Sequence, residues 1–108
     1  MATFDDRQKN FEQKYKHDRE LEFKVNARRN KLLGLWVADQ IGLSGDEKEA
    51  YAKSVVMADF EKPGDSDVVD KVLEDLKAKG VEMTEHRLRK HMDELLATAK
   101  QQVMSELQ

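Results

Sequence analysis

This sequence predicts an all-α fold, a four-helix bundle with a long N-terminal helix, and three observations carry the prediction. Charged residues make up 38% of the chain, against about 25% in ordinary globular domains. Gly and Pro together take only six of 108 positions and aromatics 6%, while Ala, Leu, Glu and Lys, which helices tolerate and strands avoid, are frequent. Punctuation falls at three places, Gly42-Leu43-Ser44-Gly45, Pro63-Gly64-Asp65-Ser66 and Gly80-Val81-Glu82-Met83-Thr84. It leaves four segments, each ended by Gly or Pro and each reopened by a capping residue, with apolar residues recurring at three and four inside them.

The first segment opens at Thr3, an N-cap candidate, with Asp5 and Asp6 where acids favour the positive end of a helix dipole. Its pattern predicts one helix reaching nearly to Ile41. Phe4, Phe11, Tyr15, Val25, Leu32 and Trp36 fall on two heptad positions of one face, with Leu21 and Leu35 beside them. Between Lys16 and Glu20 the stripe is interrupted by Lys-His-Asp-Arg-Glu. A helix of that length is marginal alone in water, so residues 1–18 are expected to be loosely held or disordered until a partner supplies a groove. The chain thus divides into an N-terminal segment, 1–18, and a bundle domain, 19–108.

In the second segment Ser44-Gly45-Asp46-Glu47 reads as a capping box, followed by Ala50, Tyr51, Ala52, Val55, Val56, Ala58 and Phe60. The third starts at Asp65 or Ser66 and repeats Val68, Val69, Val72, Leu73 and Leu76 before Gly80. In the fourth, Thr84 caps and Leu88, Met92, Leu95, Leu96, Ala99, Val103 and Leu107 make a stripe that packs along much of the first segment. Short connections favour antiparallel neighbours, hence a bundle, with its core anchored around Trp36.

Chemistry is scarce. There is no G-x-S-x-G, no glycine-rich phosphate loop and no H-E-x-x-H, and carboxylates flanked by Lys and Arg read as solvated pairs such as Glu12 with Lys16. His86 and His91 are off the spacing that puts two imidazoles on one face, and His17 stands alone, so neither a metal nor another cofactor is expected. An enzyme is therefore not expected. Without cysteine there is no disulfide framework, which suits a reducing compartment. Met1-Ala2-Thr3-Phe4-Asp5-Asp6-Arg7 does not read as a secretory signal, and the longest apolar stretch, Leu32 to Ala38, falls far short of the roughly 20 residues a membrane span needs. A soluble monomer without membrane insertion is the expectation.

Charge is uneven. Residues 1–33 hold nine Lys/Arg against six Asp/Glu, net +3, while the remainder holds ten against sixteen, net −6. Arg28, Arg29 and Lys31 form a basic cluster suited to phosphates or an acidic protein surface, but a net charge of −3 and no nearby aromatic platform argue against nucleic acid. Phe4, Phe11 and Tyr15 have two readings. They are either the outer end of the bundle core or the apolar face of a helix that docks in another protein's groove, with Arg7, Lys9, Lys14 and Lys16 tuning orientation.

Four stretches carry a resemblance: Thr3 to Arg7; Ala27-Arg28-Arg29-Asn30-Lys31-Leu32-Leu33-Gly34-Leu35-Trp36; Ala50-Tyr51-Ala52-Lys53 with Asp59-Phe60-Glu61; and Met92-Asp93-Glu94-Leu95-Leu96. Along nearly its whole length the chain resembles a family of small bacterial proteins, typical of alphaproteobacteria, that includes the zeta subunit of the F-type ATP synthase. The resemblance implies a four-helix bundle whose N-terminal segment enters the interface of the alpha and beta subunits near gamma and blocks ATP hydrolysis, at the cytoplasmic face of the membrane-bound enzyme. By position, Phe4, Phe11 and Tyr15 would be apolar anchors, Asp5, Asp6 and Arg7 polar contacts, and Lys14 a flanking cation. The alternatives are a non-inhibitory interaction bundle and a weak small-ligand, nucleotide-type binder.

Overall fold

Asp18 decides the architecture of the N-terminal third. Its backbone is extended (φ −109°, ψ 106°), and its carboxylate Oδ1 accepts the amide N–H groups of Glu20 at 3.0 Å and Leu21 at 3.2 Å. A short carboxylate that offers the backbone this alternative ends one helix and caps the next. The computed structural model describes residues 4–61 and 64–107, without the side chains of Phe4, Phe60 and Glu61. It contains α1 (Phe4–His17), α2 (Arg19–Gln40), α3 (Gly45–Glu61), α4 (Asp65–Ala78) and α5 (Glu85–Glu106). The four helices expected are thus five, because the long first one is split, and the described residues include no strand. The Thr3 cap lies outside the described residues.

Other boundaries follow the local chemistry. Gly42 and Gly80 adopt positive φ (82° and 74°), letting Leu43 N–H reach Ala38 O at 2.8 Å and Val81 N–H reach Leu76 O at 2.9 Å, which closes α2 and α4. Thr84 Oγ1 accepts Arg87 N–H at 3.1 Å and starts α5. Asp65 is the first residue of α4, with Gly64 at the cap position.

Apolar burial falls into two zones. The larger joins Leu33 and Val37 of α2, Val55 of α3, Val68, Val69, Val72 and Leu76 of α4, and Leu88 and Met92 of α5. The smaller joins Phe11 of α1, Leu21 and Val25 of α2, and Ala99, Val103 and Met104 of α5. Because early α2 meets late α5 and late α2 meets early α5, the two helices run antiparallel. α2 and α3 approach so closely that a Cβ built on Gly34 would lie 2.5 Å from Ala52 Cα. Tyr51 Oη donates to Asp75 Oδ2 at 2.7 Å, tying α3 to α4, and burial followed by that hydrogen bond pushes the phenol far above its ordinary range.

Leu21 and Val25 are buried as the heptad reading expects, but beyond them the buried stripe of α2 is displaced by one residue. Leu33, Val37 and Ala38 are fully buried, whereas Leu32, Leu35 and Trp36 are on the flank. Heptads counted from Phe4 ignore the drift of about 20° per heptad between a period of 3.5 and a straight helix. Trp36 still packs against the larger zone, its ring 4.2 Å from that of His91. Leu107, expected at the end of the α5 stripe, is exposed because the helix stops at Glu106, and Met104 is buried instead.

Candidate functional site

The N-terminal helix presents two different surfaces. Asp5 and Asp6 lie in its first turn, Arg7 follows, and all positions from Asp5 to Asn10 are exposed, as are Lys14 and Lys16. Of the apolar trio, Phe4 has its side chain outside the described residues, while Phe11 is only 7% exposed and stacks on half-buried Tyr15, ring centres 6.5 Å apart. In the chain alone Phe11 is therefore the outer end of the core.

Besides the packing of Phe11, α5 reaches α1 through a lysine. Lys100 Nζ lies 3.4 Å from Glu12 Oε2 and 4.5 Å from the centre of the Tyr15 ring. Glu12 thus pairs across the fold rather than with Lys16, four residues on. Partial burial, then the negative charge of Glu22, raise the Tyr15 phenol above its ordinary range, so Tyr15 is neutral here. An exposed ion pair contributes under about 1 kcal/mol and a cation–π contact roughly 0.5–1. A cavity of about 200 Å³ separates the helices, lined by Gln8, Phe11, Glu12, Leu96, Lys100 and Met104 among others. A single buried ring, Phe11, is the part of α1 that enters the core among the described side chains.

The basic cluster is not gathered on one face. Arg28 turns to α5, where its guanidinium donates to Gln102 Oε1 at 2.9 Å and pairs with Glu106. Arg29 turns inward, 4% exposed, donating to Asn30 Oδ1 from Nε at 3.1 Å and to Asp65 Oδ1 from Nη2 at 2.8 Å. Lys31 stays exposed and shares a shallow groove with Arg28. Only Arg28 and Lys31 can meet a partner together.

The hydrogen bond from Arg29 holds the Asp65 carboxyl below its ordinary range, against the opposing effect of burial. A depressed folded value means stability that is present above roughly pH 4 and lost as pH falls through the folded value. Asp65→Asn should therefore lose less stability than wild type on acidification below pH ~4, by under about 1 kcal/mol since the carboxylate is half exposed. Urea titrations at two pH values check it.

Sequence reading missed three residues and one pairing here. Asp18 carried a signal, an N-cap residue three before the first apolar Leu21. Lys100, Asn30 and the Arg29–Asp65 pairing carried none, because each depends on partners distant in the chain. Asn30 is fully buried between Arg29 and a cleft of about 330 Å³ that also includes Arg19, Phe23, Asn26 and Asp59, and its Nδ2 has no hydrogen-bond partner among the described residues. Phe23 is half exposed at the rim.

Comparison with curated proteins gives no match. Among solved structures, one determined by solution NMR is 52% identical to this chain, covering 80% of it and 98% of that chain, with a TM-score of 0.69. The sequence model of the family described as ATPase inhibitor subunit zeta matches residues 1–102. Because that match takes in the helix before Asp18 as well as nearly all of the bundle, the chain belongs to the ATPase inhibitor subunit zeta family, whose role is regulatory and inhibitory rather than catalytic.

Proposed function

We propose that the chain inhibits ATP hydrolysis by the catalytic head of the F-type ATP synthase, with residues 1–18 entering the interface of the alpha and beta subunits beside gamma. The observation that carries this reading is the family match, which begins at residue 1 and so includes the segment that would act. The exposure of the polar run from Asp5 to Asn10 supports it. Asp5, Asp6, Arg7 and Lys14 make the polar contacts, and Phe4, Phe11 and Tyr15 are the apolar anchors. Residues 19–108 serve as the platform. A helix wedged in a cycling machine needs no chemistry, because stabilising one conformation stops turnover. The protein works as a monomer, without cofactor, at the cytoplasmic face of the membrane-bound enzyme.

The test is ATP hydrolysis by a cognate head depleted of this subunit, titrated with the full chain and with a version starting at Arg19. Saturable inhibition by the full chain, at least about tenfold weaker for the shortened one, a difference of ~1.4 kcal/mol, is the expected result. Equal inhibition by both would remove the N-terminal segment from the mechanism.

A second reading, a weak small-ligand site, is favoured by the α2–α3 cleft and the unpartnered Asn30 Nδ2 on its wall. Titration with nucleotide while following the amide resonances of Phe23, Asn26 and Asn30 decides it, and unchanged spectra would dismiss it.

A further inference from the structure

The anchors required by the inhibitory reading are the groups that the chain packs against itself. Phe11 lies buried with Leu21, Val25, Ala99, Val103 and Met104, and Tyr15 lies under Lys100. A segment so placed cannot offer either ring to a partner without leaving α5.

The junction is built for that departure. Asp18 N–H already donates to Lys14 O at 2.9 Å, and Glu22 N–H to Asp18 O at 3.0 Å, both bonds that an unbroken helix would keep. Only the backbone of Asp18 departs from helical values, and turning its ψ from 106° to about −42° would let Arg19, Glu20 and Leu21 bond to Tyr15, Lys16 and His17. That rotation exchanges two bonds to a side chain for three along the backbone. The residues flanking the junction, Lys16, His17, Arg19 and Glu20, are all exposed, so what opposes the rotation is the packing of Phe11 and Tyr15 on the bundle.

We infer that Asp18 is a hinge with two settings: capped, with α1 bent onto α5 and its anchors masked, and straightened, with α1 and α2 fused into one helix that carries Phe11 and Tyr15 away from the bundle. The inference rests on the inhibitory reading and adds its regulation. Lys100 is the latch, because it alone contributes both the ion pair to Glu12 and the contact with Tyr15. Masking lowers apparent affinity for the head by the fraction of chains that are straightened, so whatever weakens the bent setting strengthens inhibition.

The absence of cysteine makes the test direct. Gln8 and Gln101 are exposed residues on opposite sides of the α1–α5 cavity, and Gln8→Cys with Gln101→Cys introduces a unique thiol pair. Spin labels on that pair in the free full chain should report a short distance, and adding Asp18→Ala should transfer population to a longer one. A distribution unmoved by Asp18→Ala would overturn the hinge. In the hydrolysis assay, joining the two thiols with a reducible cross-linker should weaken inhibition at least about tenfold and reduction should restore it, while Asp18→Ala should strengthen inhibition by about fivefold, in keeping with the loss of one helix cap. A cross-linked chain that inhibits as well as the reduced one would overturn the masking. If the reduced chain inhibits no better than the chain starting at Arg19, the inhibitory reading fails and the spin-label distances alone judge the hinge.

Discussion

Gly34→Val is expected to cost about 3 kcal/mol of stability, at the upper end of what overpacking a core contact brings. In an isolated helix, replacing Gly raises stability, by up to about 1 kcal/mol for Ala. Here the new Cβ would lie 2.5 Å from Ala52 Cα, 3.1 Å from its Cβ and 3.2 Å from its carbonyl oxygen. None of these atoms belongs to a flexible side chain, so the backbone of α3 must move and carry Val55 and Tyr51 with it. The sign of the effect is thus diagnostic. Thermal unfolding followed by far-UV circular dichroism should show the midpoint falling by roughly 10–20 °C, the shift about 3 kcal/mol brings in a domain of this size. A midpoint that is unchanged or higher would mean that α2 and α3 do not meet at Gly34.

The second large effect separates two adjacent leucines. Leu33 is fully buried in the larger apolar zone, whereas Leu32 sits at the margin of the smaller one. Leu33→Ala should cost about 3–4 kcal/mol, the lost transfer energy plus that of a cavity that four packed helices cannot close. Leu32→Ala should cost less, about 1–2 kcal/mol, since its side chain is only partly buried and its removal leaves no closed cavity. Urea unfolding should show the midpoints separating while the slopes stay alike. Equal losses would favour the heptad register over the observed one.

That pair of leucines also marks where the sequence could be read and where it could not. Features fixed within a few residues were legible. The stops at Gly42 and Gly80, the Thr84 cap and the Val68-Val69-Val72-Leu76 repeat all depend on neighbours in the chain, and all appear as expected. The register of α2 was read correctly at Leu21 and Val25 and misjudged beyond them, because a strict heptad drifts off a straight helix, while Asp18 read as part of a polar patch rather than as a cap. Arg29 read as a surface cation, for its burial depends on Asp65, 36 positions away. Gly34 gave no sign of being a packing position, although α2 and α3 meet closely there. Of the candidate segment, the charged run and the position of the gap were legible. The contact of Lys100 with Glu12 and Tyr15, 88 and 85 positions distant, was not, because no periodicity encodes which helix a lysine will reach.

The inward-turned guanidinium of Arg29, with Asn30 beside it, stands between the two apolar zones of α2, with Val25 on one side and Leu33 on the other. A polar layer at that height divides cooperativity, since the smaller zone can open without stripping water-shielded contacts from the larger. The end that carries α1 can therefore take up substitutions at its exposed positions, Asp5 to Asn10, without disturbing the scaffold below. A protein arranged in this way can alter its target while keeping its fold.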